Sequence, residues 1–84
     1  MKVYLVLYTS NGDMSGINSG CCGAYTNRSD AEKHLAREYA QEKKEATGFY
    51  DKEEYEPGDY FDFWQDGYHD LNHYHMWVEE NELK

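Results

Sequence analysis

Leucine, isoleucine, valine and phenylalanine are scarce in this chain. Leu, Ile, Val and Phe together occupy 12 of 84 positions, under the roughly 20% below which a highly charged chain is suspected of disorder. A core of aliphatic side chains alone is therefore excluded. No apolar run approaches the roughly 18 residues of a membrane-spanning helix. The opening Met-Lys-Val-Tyr-Leu-Val-Leu-Tyr is followed by Thr-Ser-Asn-Gly-Asp and not by a small-residue cleavage site, so it reads as a strand, not a signal peptide. The two cysteines, Cys21 and Cys22, are adjacent. Adjacent cysteines close a disulfide only with strain and cannot staple distant segments. That excludes a disulfide framework and points to a reducing, cytoplasmic setting.

Basic residues are also few: 8 Lys and Arg against 17 Asp and Glu, for a net charge of −9. Direct binding to a phosphate backbone through a Lys/Arg surface is not expected. Catalytic signatures are missing too. There is no G-x-S-x-G, no glycine loop with lysine to cradle phosphate, and no H-E-x-x-H. No enzyme activity and no cofactor are expected.

What the chain does have is rings, 17% of residues. Each aromatic buries about 150–250 Å², enough to replace the missing aliphatic core. A single domain over residues 1–84 follows, thin by virtue of its length.

The charge is unevenly spread. Residues 1–50 carry six acids and six bases and sum to zero, whereas residues 51–84 carry eleven acids and two bases, so all of the −9 lies there. Such asymmetry bears on partners, not on fold.

Along the chain, residues 2–9 alternate Val3, Leu5 and Leu7 with Tyr4, Val6 and Tyr8. With both sets apolar or aromatic, the pattern predicts a central strand covered on both sides. Residues 10–20 are rich in turn formers and predict a loop or the tip of a hairpin. Residues 21–26 predict a short second strand, with Gly23 marking a bulge or a close backbone approach. Ser29 and Glu32 have capping-box spacing, Ala31, Leu35 and Tyr39 recur every four residues, and Gly48 terminates; a helix over 29–47 follows. Pro57-Gly58 predicts a turn, Tyr60–Trp64 a short strand or helical turn, and residues 72–79 a strand. In that last strand Tyr74, Met76 and Val78 face the core, and His73, His75 and Trp77 face outward. The expected fold is α+β: an antiparallel three- to four-stranded sheet with one helix packed on a face, in ββαβ order.

Three constellations could carry function. The first is the acidic and aromatic segment, with Glu53, Glu54, Glu56, Asp59, Asp62, Asp66 and Asp70 as carboxylates and Tyr60 and Trp64 as anchors. Carboxylates steer a basic partner inward, and Tyr and Trp supply buried contact area. The plainer reading is a solvated acidic loop whose rings complete the core. The second is His69, His73 and His75, ligand types suited to zinc, against which stands the frequency of histidine on half-exposed strands. The third, Cys21-Cys22 joining His73 and His75 as four zinc ligands, is disfavoured because adjacent strand residues point to opposite faces; buried free thiols are expected instead. The loop Asn11–Gly16 has oxygen side chains at alternate positions but lacks the glutamate that closes a calcium loop.

The length, the strand–strand–helix–strand plan and the acidic–aromatic stretch from Asp51 to Asp70 resemble a broad class: small acidic accessory proteins of phages and mobile elements. Its members include anti-CRISPR proteins and DNA-mimic inhibitors that occupy basic nucleic-acid-binding channels. The resemblance implies a non-enzymatic inhibitor whose partner is a basic protein such as a nuclease. It carries no residue roles with it. Beside it stand two alternatives: a small metal-binding protein using His69, His73 and His75, and a homo-oligomer, a dimer in its simplest form, whose exposed rings meet their own copy.

Overall fold

A computed structural model describes residues 1–12, 16–45, 50, 52–64 and 73–82. Its elements are β1 (Lys2–Gly12), β2 (Gly16–Tyr25), α1 (Arg28–Glu45), β3 (Lys52–Glu56), β4 (Tyr60–Trp64) and β5 (His73–Glu82). All strand pairs are antiparallel, and the five strands lie in the order β2-β1-β5-β4-β3. Among the described residues the fold is α+β with one helix, as expected, but the sheet has five strands and the order is ββαβββ. The strand missing from the expectation is β3. Its sequence, Lys-Glu-Glu-Tyr-Glu, carries one inward ring and is otherwise charged, so no apolar alternation announces it.

Strand β1 runs on to Gly12 and β2 begins at Gly16. Residues 10–20, expected as loop, are therefore mostly paired strand. Of the loop Asn11–Gly16, whose calcium reading the missing glutamate disfavours, residues 13–15 lie outside the described residues. Between Val6↔Gly23 and Leu7↔Cys21 the register shifts, which leaves Cys22 as the extra residue of a β-bulge. Gly23 also makes the close approach its sequence suggested, since a Cβ there would lie 2.9 Å from His34 Nδ1.

The helix begins one residue earlier than expected. Asn27 caps it: its side-chain oxygen accepts from the Ser29 amide at 2.8 Å, and its carbonyl accepts from the Asp30 amide at 3.2 Å. An N-cap must lie outside the helix with a short acceptor side chain, and Asn27 meets both conditions. Ser29 is displaced into the first turn and the capping box does not form. Glu32 instead approaches Arg28, 3.9 Å away.

The core lies between α1 and one face of the sheet. Val6, Ala31, Leu35, Phe61, Phe63, Met76 and Val78 are its buried residues, with tyrosines 4, 8, 25, 39, 50, 55 and 74 packed around them. Rings carry this packing. Tyr39 stacks on Tyr55 with centroids 3.9 Å apart and on Phe63 at 5.6 Å, and Phe61 stacks on Tyr74 at 5.9 Å. Strand β1 is flanked by β2 and β5 as predicted, but its cover is one-sided. Val6 is buried under the helix, whereas Val3, Leu5 and Leu7 on the other face are only half-buried. One helix cannot cover both faces of a sheet, and no second layer exists among the described residues. Among the described residues no helix is long and apolar enough to cross a membrane.

Pro57 and Gly58 turn the β3–β4 hairpin. The Asp59 amide donates to the Glu56 carbonyl at 3.0 Å, and Gly58 has φ +80°. Proline second and a positive-φ glycine third is the arrangement of a type II turn.

Candidate functional site

The face of the sheet opposite α1 collects most of the predicted site. Strand alternation and register place its residues in transverse rows. One row runs Cys21, Leu7, Trp77, Tyr60 and Glu56; the next runs Ser19, Thr9, His75, Asp62 and Glu54; a third includes His73, Trp64 and Lys52. Both tryptophans of the chain therefore stand on this open face. His73 and His75 lie beside them with Trp77, all directed outward as the sequence predicted.

Rings form a ladder along β5. His75 stacks on Trp77 at 5.1 Å and on His73 at 6.1 Å, and Tyr60 packs against His75 from β4 at 5.7 Å. Glu54 accepts a hydrogen bond from the Tyr60 hydroxyl. That acceptor, first among the causes, pushes the Tyr60 phenol up to about 12, so the ring stays neutral at physiological pH. Glu54 and Glu56 themselves are exposed.

The predicted carboxylates do not act as one surface. Glu53 points to the helix side, where it accepts from the Tyr39 hydroxyl at 2.9 Å and from Lys43 Nζ at 3.1 Å. The Tyr39 hydrogen bond, and after it Lys43, holds the Glu53 carboxyl below its usual range. Asp59 sits in the β3–β4 turn. Asp62 lies on the open face between two histidines: one oxygen accepts from His73 Nε2 and the other is 3.4 Å from His75 Nδ1. That second approach lacks hydrogen-bond geometry, so the buried Nδ1 of His75 has no hydrogen-bond partner. With 24% of its side chain exposed, Asp62 serves its histidines first. Asp66 and Asp70 lie outside the described residues.

His69 also lies outside them, so the His69, His73, His75 set is represented by two members. Among the described residues no group of three His, Cys, Asp or Glu side chains is arranged to hold a metal ion. Strand β1 stands between Cys21 and Cys22 on β2 and His73 and His75 on β5. Both thiols are free and exposed, contrary to the expected burial. The reason is position: β2 is an edge strand, and its bulge lies where the helix only partly shields Cys22. Partial burial, and then the Glu38 carboxylate, push the Cys22 thiol up.

Three contributors escape sequence reading: Trp77, which the strand pattern directs outward without joining it to the site, and Leu5 and Leu7, whose face the pattern predicts to be covered. The signal that finds them is a count: one helix for a sheet with two apolar faces.

Comparison with protein-family models gave no match, and comparisons with curated proteins and with solved structures gave none either.

Proposed function

We propose that the chain is a non-enzymatic binding protein whose open sheet face docks a basic partner, in the manner of a phage-type, anti-CRISPR-like inhibitor that blocks a nucleic-acid-handling protein. The observation that carries this reading is the composition of the uncovered face: Trp64, Tyr60 and Trp77 interleaved with Glu54 and Glu56 on neighbouring strands. A domain with so few large apolar residues leaves two tryptophans outside its core. Rings of this kind are the common anchors of binding energy, worth 2 kcal/mol or more each when fully covered.

The chemistry has two stages. The acidic half of the chain raises the encounter rate with a cationic surface. The rings then lose water against the partner, and arginine suits the arrangement because its guanidinium both stacks on aromatic faces and bonds carboxylates. A DNA- or RNA-binding channel, lined with Lys and Arg, has the complementary charge. The apolar flank of the same face, Val3, Leu5 and Leu7, widens the contact.

Capture from cell lysate tests the reading, using the native chain beside a Glu54→Lys/Glu56→Lys variant. A nucleic-acid-handling protein retained by the native chain, released by salt and absent from the variant is expected. A retained set that charge reversal leaves unchanged contradicts it.

A further inference from the structure

The two edges of the sheet are protected very differently. Strand β3 is five residues long and carries Lys52, Glu53, Glu54 and Glu56. Shortness and charge are the devices that keep an edge from pairing with another chain. Strand β2 is ten residues long, Gly-Ile-Asn-Ser-Gly-Cys-Cys-Gly-Ala-Tyr, with no acid, no base and no proline. Its one strand neighbour is β1, so alternate N–H and C=O groups along its outer side meet no other strand among the described residues. The bulge at Cys22 interrupts it late, leaving Gly16–Cys21 in unbroken register with β1.

We infer that β2 is a homodimerisation edge, along which two copies pair antiparallel through Gly16–Cys21 about a twofold axis normal to the sheet. The occupant is a second copy because of where the charge lies. A chain of net charge −9 meets its own copy most cheaply where its surface is neutral. Strand β2 is uncharged, and it stands at the far side of the sheet from β3. Four strand spacings of about 4.8 Å separate the two edges, about 19 Å, well beyond the screening length of about 8 Å at physiological salt. Across the paired sheet the two β3 strands would be nine spacings, about 43 Å, apart. Pairing through the open faces would instead set Glu54 and Glu56 of one copy against those of the other. The β3 edge, with three acids against one base, would bring two net-negative strands together, which disfavours pairing.

The twofold keeps both helices on one side and joins both open faces on the other. Dimerisation does not depend on what the open face binds. If that face has a partner, the dimer presents it twice, and linkage raises apparent affinity without any new contact.

Sedimentation velocity on the native chain, over a dilution series with reductant present, tests the inference. The mass is expected to rise from one chain to two with concentration. Ser19→Lys, an exposed position near the middle of the pairing stretch, is expected to hold the mass at one chain with an unchanged far-UV spectrum. Hydrogen exchange on the native chain at low and high concentration keeps the test independent of that variant. Amides of β2 should gain protection with concentration and those of β3 should not. A single-chain mass at every concentration would overturn the inference. So would a dimer that survives Ser19→Lys, or concentration-dependent protection on β3–β4 in place of β2.

Discussion

Tyr60 and Phe61 are neighbours in β4 with opposite duties, and truncating each tests whether the core is one-sided. Phe61 is fully buried, and its ring packs on Tyr39 at 5.7 Å, Phe63 at 5.3 Å and Tyr74 at 5.9 Å. Removing a ring so placed leaves a cavity and costs about 3–5 kcal/mol. An 84-residue domain has in total about 4–13 kcal/mol of stability at the usual 0.05–0.15 kcal/mol per residue. Phe61→Ala should therefore consume a large share of the margin, and at the low end unfold the protein. Tyr60 faces away from α1, so Tyr60→Ala should cost about 1 kcal/mol or less. Urea denaturation followed by far-UV circular dichroism measures both, with Phe61→Leu as a milder step if the alanine variant does not fold. Equal losses at the two positions would refute the one-sided core, as would a Phe61→Ala midpoint within error of the native chain.

Gly58→Ala should cost about 1–2 kcal/mol from its positive φ. Its new Cβ also meets the Glu32 carboxylate at 2.8 Å, but that flexible end can swing aside, so adding Glu32→Ala should recover little of the lost urea midpoint. Gly23→Ala presses on a ring that cannot yield: His34 is held by the Tyr25 hydroxyl at 2.8 Å and lies 3.4 Å from Glu38. A loss of about 1–3 kcal/mol, with displaced His34 ring resonances by NMR, is expected. Glu53→Gln should destabilise mildly at neutral pH and not at all in acid. The folded Glu53 carboxyl titrates below its unfolded value, so its contribution is present above about pH 4.3 and is lost as pH falls through the folded value. Thermal melts of both chains from pH 7 to pH 3 should converge at the acid end.

The elements that the sequence announced are those with a clean period. Residues Ala31, Leu35 and Tyr39 follow one helical stripe, and Tyr74, Met76 and Val78 one strand face. Strand β3 was hidden because an edge strand needs charge to stay unpaired, and charge erases the alternation by which strands are recognised. The N-cap was misplaced because Asn27 and Ser29 are both good caps, and only the path of the chain out of β2 decides between them. The acidic segment was legible as composition but not as a surface. Its alternate residues fall on opposite faces, so Glu53 joined Tyr39 and Lys43 while Glu54 joined Tyr60. The sidedness of β1 is not legible for a related reason: both of its faces are apolar, and the layers available to cover them are set by the whole fold, not by the strand.

Both tryptophans lie on the open face, which makes their emission a direct report on whether that face is occupied. Titrating the native chain with an arginine-rich peptide, at low and at high salt, measures this without a known partner. The expected result is a saturable shift of Trp64 and Trp77 emission that salt weakens and that Glu54→Lys/Glu56→Lys abolishes. Emission that does not change at low salt, or a shift that charge reversal leaves intact, would contradict the assignment of this face as the binding surface.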